Sequence, residues 1–386
     1  MTVNQQAGSS RLLREINESV ALRHLLESGP LTRGDLRSLT GLAKPTISDV
    51  MRRLQDAGLA KVAGHTSGGP GPNAEIYTVN ADAAYGAAVS LRAQDSTLVT
   101  AVCDLAGEVR ARAETPVDFE RIDPVTAVGD AVAATCRQAR IALRRLDHVQ
   151  IGVPGAYHEG AGAIRYVDVP GWSRPGLVGE IRTRLRTEVR VDNDVNLAAV
   201  AERSRGIAAD AESFVLLWLG EEGLGLAIDL GGQLLRGARG GAGEIGYMPV
   251  GLPVAGKEPR DFHDLVSGSA IRDLAAAHGI TADTGHAAVA AAVEAGADAF
   301  LQELAVRIAI GLAAVVAVLD PSLVVLAGEV GQAGGTALHE AVSSALRDLS
   351  VLETSVASTG LTEDAVLLGG LDTTLTAVRT ALLDRR

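Results

Sequence analysis

The sequence predicts an α/β protein carrying a small separate head. Three observations lead there. Residues 1–80 read as short helices followed by a Gly/Pro-tipped hairpin, and strands alternate with helices from residue 84 onward. The chain is 47% hydrophobic but only 3% aromatic, so its core is built from Leu, Val, Ile and Ala. A length of 386 residues fits two or three folding units better than one.

The head comes first. Leu12, Leu13, Ile16, Val20, Leu22, Leu25 and Leu26 fit one helical face, and "SGP" at 28–30 stops that helix. Thr32 is placed to cap a second helix, with Asp35 three residues on as in a capping box, and Gly41 ends it. A third helix follows with Pro45 near its start and Gly58 just past its end. Its apolar residues Ile47, Val50, Met51 and Leu54 are expected to face inward. Two short helices about a turn holding Gly41 are the helix-turn-helix layout. Residues 60–79 then read as a hairpin, because "AEIYTV" alternates like a strand and "SGGPGPN" has turn chemistry. That hairpin is a wing, and the head is expected to span 1–80 as a winged helix-turn-helix DNA-binding domain.

In this layout the start of the third helix meets base edges while Arg and Lys meet phosphates. Lys44, Thr46 and Ser48 are therefore assigned to the bases, and Arg52, Arg53 and Arg33 to the phosphates. The bland alternative is a helical bundle with an ordinary solvated face. Charge leans toward DNA: the head carries nine Lys/Arg against seven Asp/Glu. Subtracting that +2 from the net −12 leaves −14 on the remaining residues, so only the head suits an anionic partner.

Composition also sets exclusions. Arg, Asp or Gly interrupts each apolar run before it reaches the roughly 18 residues a membrane span needs, so no membrane partner is expected. The start "MTVNQQAGSSRLL" lacks a signal-peptide layout. Cys103 and Cys136 lie in unrelated contexts, which suggests neither a disulfide framework nor a metal site. A soluble cytoplasmic protein is expected.

In the body, residues 84–117 read as three strands with turns at "AQDS" and "DLAG". "VTAVGDAVAATCRQARIALRR" reads as one helix, and "LDHVQIGVPGAY" as a strand ending in a Gly-Pro-Gly turn. "SFVLLWLGEEGLGLAIDLGGQLLRGARG" reads as two strands with a turn at "DLGGQ". A long apolar helix over 298–318, buried in a core or at an interface, precedes "DPSLVVLAGEVG", a buried strand ending in a Gly loop. Such alternation implies α/β lobes with ligands near strand C-terminal ends.

These residues resemble the ROK family of repressors, open reading frames and sugar kinases. "NDVNLAAVAE", "GVPG" at 152–155, "VDVPGW" at 167–172, "RGARGGAGEIGYMPV" at 236–250, "SGSAI" at 267–271 and "LDPSLVVLAGEV" at 319–330 carry the resemblance. The head "TGLAKPTISDVMRRLQDAGL" is similar to that of the family's repressor branch. The resemblance implies an actin-like, hexokinase-like ROK domain over 81–386, assembled as a homodimer or homotetramer. Lobe one would span about 81–190 plus the C-terminal helix, and lobe two about 191–365.

By the same resemblance Asp194 matches the base that acts on a sugar hydroxyl in the kinases. Asn193 and Glu244 match further sugar contacts, and Gly155 lies in the turn beside them. The kinases also need phosphate loops, and here these depart from the pattern. The Asp-x-Gly-x-Thr loop is replaced by "RAQDS" at 92–96, and Gly-Thr-Gly-x-Gly by "GEEGLG" at 220–225. Glu221 and Glu222 would repel a polyphosphate. The family's zinc site departs too: Tyr247 stands where a His is usual, and "GLPVAGKEPRDFHDL" holds no cysteine. No metal or nucleotide cofactor is therefore expected. His263 stands where a sugar-touching Glu is usual, as a replacement contact, a core histidine or a surface residue. The usual Gly-Arg-Pro of the wing is replaced by "GPN" at 71–73.

The expectation is thus a non-enzymatic regulator, in the repressor branch, of carbohydrate-related genes, gated by a sugar or sugar phosphate between the lobes. Two alternatives stay open. One is a sugar kinase with an added head. The other is a regulator whose cleft is vestigial, with Asn193 and Asp194 merely capping the helix that begins near Leu197.

Overall fold

The computed structural model describes residues 3–66, 73–251, 260–361 and 364–384. The head begins with α1 (Val3–Ser28), followed by the short strand β1 (Leu31–Thr32), α2 (Arg33–Thr40) and α3 (Lys44–Asp56). Thr32 and Asp35 form the expected reciprocal capping box on α2, and Gly41 closes the helix at φ 68, where a β-carbon would be strained. Ile47, Val50, Met51 and Leu54 of α3 are all buried, as their spacing required. They pack on Ala21, Leu22 and Leu25 of α1 and on Tyr77. The start of α1 departs from the expectation. Leu12, Leu13 and Ile16 are 58%, 60% and 47% exposed, because α2 and α3 cover only the second half of this long helix. The wing strands β2 (Ala60–His65) and β3 (Glu75–Val79) pair antiparallel, and β1 joins the other edge of β3. Most of the tip, with Ser67 and the first two residues of "GPN", lies outside the described residues.

Two five-stranded sheets follow, with the same internal order. In the first, β4 (Tyr85–Arg92), β5 (Thr97–Asp104) and β6 (Val109–Pro116) form an antiparallel meander. The strands β7 (Leu146–Val153) and β10 (Glu188–Asn193) extend it in parallel beyond β4. The helix α4 (Pro124–Gln138) precedes β7, and the small hairpin β8 (Ala156–His158) with β9 (Ala163–Arg165) and the helix α5 (Leu177–Leu185) lie between β7 and β10. The helix read over 125–145 is shorter than expected. It stops at Gln138, and Arg140 follows at φ 58.

The helix α6 (Asp194–Arg205) leads into the second sheet. There β11 (Ser213–Leu219), β12 (Leu224–Leu230) and β13 (Gln233–Leu234) form the meander. Two strands were expected in that stretch. The structure makes three, because "GEEG" folds as a further tight turn between two seven-residue strands. The strands β14 (Leu323–Ala327) and β15 (Ser355–Ser358) extend this sheet in parallel beyond β11. Its helical layer holds α7 (His263–Val266), α8 (Gly268–Ala277), α9 (Gly285–Ala295), α10 (Asp298–Leu319) and α11 (Gly328–Leu349). The expected Gly loop after β14 is absent, since α11 starts directly at Gly328.

The last helix is α12 (Ala365–Asp384). By length and apolar composition α10 and α12 both pass for membrane spans, contrary to the sequence expectation, because a lone Arg or a few Gly lower the average little. The buried residues of α10, among them Phe300, Leu304, Ile308 and Leu312, belong to the core of the second sheet.

Candidate functional site

A cleft of about 1310 Å³ opens between the two sheets. The C-terminal end of β4 supplies one wall, and the "GEEG" turn with β12 supplies the other. The N-termini of α6, α11 and α12 reach the cleft between them. Gly155, Asn193, Asp194, Glu244, Tyr247 and His263, separated by more than a hundred residues in sequence, all line it.

The run "DND" divides its labour. Asp192 is structural: its Oδ2 accepts from Arg236 at 2.6 Å, and its Oδ1 accepts from the Asn196 side-chain amide at 3.1 Å. Asn193 is the N-cap of α6. Its Oδ1 accepts from the backbone N–H groups of Val195 and Asn196 at 2.9 and 3.2 Å, while its Nδ2 donates to the Gly155 carbonyl at 3.2 Å. Its side chain is therefore committed to the loop, as the capping reading requires. Asp194, the first helical residue, is not needed for that. Its Oδ1 accepts from Val195 N–H at 2.8 Å, and no hydrogen bond within the described chain is formed by its other oxygen. Burial pushes its carboxyl up to about 7, partly opposed by backbone N–H groups, with the negative charges of Glu244 and Glu329 adding to the rise.

Glu244 is half-buried, and its carboxyl is raised by burial, with His263 acting against the rise. Its side chain accepts no hydrogen bond among the described residues. His263 opens α7, with its ring against Gly246 and edge-on to Tyr247 at 5.4 Å. Tyr166 completes an aromatic row, 6.0 Å from the Tyr247 ring. Tyr166 is 61% exposed and sits at φ 61, a left-handed backbone that side chains such as this one rarely adopt. Sequence reasoning missed it, although it directly precedes the "VDVPGW" motif. It also missed Glu329, whose Oε2 is buried with no hydrogen-bond partner among the described residues.

The residues that stand in place of the two phosphate loops are engaged with the chain itself. At the β4–β5 turn Arg92 is held by Asp95 at 3.1 Å and Glu114 at 2.9 Å. The Glu221 carboxylate accepts from Gly285 N–H at 2.8 Å and His286 N–H at 3.3 Å, so it closes the N-terminus of α9. Helix N-termini of this kind are where phosphates bind, and a carboxylate already fills this one. Glu222 lines the cleft beside it. These residues do not fit a polyphosphate. Nor do they fit zinc: Tyr247 is no match for a His ligand, and both cysteines are buried in the first sheet's lobe. Among the described residues no group of three His, Cys, Asp or Glu is placed to hold a metal.

On the head, Lys44 is exposed at the start of α3, with Thr46 and Ser48 half-exposed beyond it. Lys44 forms no ion pair among the described residues. The three arginines are already engaged. Arg33 pairs with Glu75 at 2.8 Å and lies over the Tyr77 ring. Arg52 pairs with Asp49 and Asp56, and Arg53 ties Asp49 to the buried Glu18. Exposed pairs such as Arg52–Asp56 cost little to exchange for a phosphate, whereas Arg53 has a structural part in the head.

Cleft and head are joined by α12. Its first two turns line the cleft. It packs along α6 and β4, and its end reaches the head, where Leu382 and Leu383 join the head's core. There Ser19 Oγ donates to the Leu383 carbonyl at 3.1 Å. Twenty helical residues span about 30 Å.

The sequence profile of the ROK family matches residues 90–374. The DNA-binding transcriptional dual regulator NagC of Escherichia coli strain K12 is 26% identical over 250 residues, which cover 64% of this chain and 60% of that relative. A solved ROK family transcriptional regulator, a homologue of the E. coli MLC protein, superposes with a TM-score of 0.74 at 21% identity. The superposition covers 97% of this chain and 98% of that one. A ROK hexokinase from Thermus thermophilus superposes with a TM-score of 0.63 at 25% identity, over 77% of this chain and 99% of the hexokinase. The part of this chain without a counterpart in the hexokinase is about the size of the head. With the profile covering most of the body and the cleft motifs in their places, the chain belongs to the ROK family.

Proposed function

We propose that the protein is a cytoplasmic DNA-binding transcriptional regulator of carbohydrate-related genes, a repressor, and that a sugar bound in the cleft gates it. One observation carries the reading. Asp194 keeps a carboxylate oxygen with no hydrogen bond among the described residues, in a cleft that retains Glu244 on one side and carries Glu222 and the paired Arg92 where the kinases hold phosphates. A site that holds polyols but offers no seat for a triphosphate suits a sensor rather than a kinase, because phosphoryl transfer depends on positive charge around the phosphates. The resemblance to NagC, itself a DNA-binding regulator, supports the same reading.

Gating follows from α12. A sugar drawing the sheets together would move the helix that starts at the cleft and ends in the head. In a dimer the two recognition helices must lie about 34 Å apart to enter successive major grooves, so a small rotation is enough to weaken binding. The test is a melting curve of the full chain across sugars and ATP, paired with operator binding. The expected outcome is a rise with one sugar and none with ATP, lost in Asp194→Ala, with the same sugar lowering operator affinity. Turnover of ATP with any hexose, or operator affinity indifferent to every sugar that raises the melting temperature, would overturn it.

A further inference from the structure

We propose that the effector enters this cleft as an unphosphorylated sugar and that the cleft rejects the corresponding sugar phosphate. The proposal rests on the ligand-gated reading above and goes further by naming the charge class of the ligand.

The argument is one of charge and partners. Asp168, Asp194, Glu222, Glu244, Glu329 and Asp364 line the cleft. Against these six carboxylates stand two arginines among the described lining residues, Arg92 and Arg112, and both are spent on Glu114 at 2.9 and 2.8 Å. His263 is the third basic group; its Nδ1 lies 3.9 Å from Asp261, and Glu244 is close enough to feel its charge. A phosphate monoester carries close to two negative charges near neutral pH and requires donors or cations around it.

The helix N-termini do not supply them. At α6 the Asn193 side chain holds the first N–H groups, and at α12 the Asp364 carboxylate accepts from Leu367 N–H at 2.9 Å. The first turn of α11 carries Glu329, whose buried Oε2 has no hydrogen-bond partner among the described residues. Two of the three termini thus already have a side-chain oxygen on their first N–H groups, and the third carries an acidic residue in its first turn.

An uncharged sugar meets the opposite conditions. Carboxylates only accept, and sugar hydroxyls donate to them without adding charge. The exposed faces of Tyr166 and Tyr247 offer an apolar surface for the C–H face of a pyranose ring. Burial is the main cause of the raised Asp194 carboxyl, and the negative charges of Glu244 and Glu329 add to it; a hydroxyl donor brings no further charge there, whereas a phosphate does.

The test is isothermal titration of the full-length protein with matched pairs: glucose, mannose and N-acetylglucosamine, each against its own 6-phosphate. The expected result is that at least one free sugar binds about tenfold or more tightly than its phosphate, a gap that added salt narrows because it is electrostatic. Replacing both Glu222→Gln and Glu329→Gln should narrow the gap further by improving binding of the phosphate. A 6-phosphate binding as tightly as its parent sugar, or more tightly, overturns this inference and leaves the gated reading standing. No binding by any member of the panel overturns both.

Discussion

Gly369 of α12 crosses α6 so closely that a β-carbon there would stand 1.7 Å from the Leu197 carbonyl oxygen. The obstacle is backbone, so it cannot rotate aside. The helix carrying Asp194 and the helix that reaches the head are therefore locked at one crossing. Gly369→Ala must push the two apart. Overpacking of this kind costs about 1–3 kcal/mol, and the melting temperature should fall by several degrees. The more telling readout is coupling: if α12 transmits the signal, a sugar that still binds the variant should change operator affinity less than it does in the parent.

Asp194 gives a pH prediction with a definite sign. Its carboxyl lies at about 7 in the folded protein against 3.8 ordinarily, so the folded state holds the extra proton between those values. Stability then falls as pH rises through that window, because ionising the group in place opposes burial and the charges of Glu244 and Glu329. Asp194→Asn removes the penalty. At pH 8 the variant should be more stable than the parent by about 1–4 kcal/mol, and near pH 4 the two should converge. Urea titrations at the two pH values measure this. A difference that does not change with pH would show that Asp194 is ionised at no cost.

Much of this was legible in sequence, for reasons that particular residues make plain. The capping box of Thr32 and Asp35, the buried stripe of α3 and the end of α2 at Gly41 follow from local rules that act within four residues. The cleft residues were legible through motifs. What sequence did not reveal depended on distant partners. Nothing near Glu221 says that its carboxylate will close the N-terminus of α9, some 64 residues away. Arg52 and Arg53 looked free for phosphates until Asp49 and Glu18 were seen beside them. The division between Asn193 as cap and Asp194 as free acid needed coordinates, since both residue types cap helices equally well.

Glu221 should behave as a structural acid. Burial works to raise its carboxyl, but the N–H groups of Gly285 and His286 and the His286 ring hold it below the ordinary value. A depressed carboxyl contributes stability above its unfolded value, and that contribution is lost as pH falls through the folded one. Glu221→Ala should therefore lower stability by about 1 kcal/mol at pH 7, the usual cost of a lost helix cap. The gap to the parent should close in acid, as pH falls through the lowered folded value and the parent's carboxyl is protonated as well. Melting curves of both proteins across pH check this, and a gap that persists in acid would contradict it.

Lys44 and Arg53 separate DNA contact from head stability. Lys44 is exposed at the start of α3 and forms no ion pair among the described residues, so Lys44→Ala should leave the melting temperature of the head unchanged. A lysine on a base edge loses affinity mainly for the specific operator, by about 1–3 kcal/mol, whereas one on a phosphate weakens all sequences alike and lowers the salt slope by about one. Binding curves on operator and unrelated DNA at several salt concentrations distinguish these two roles. Arg53→Ala should do the reverse. It leaves the buried Glu18 without that partner, so the head should melt earlier, and any loss of DNA binding should follow the loss of folded protein. If Lys44→Ala changes neither affinity nor salt slope, the N-terminal end of α3 is not the surface that meets DNA.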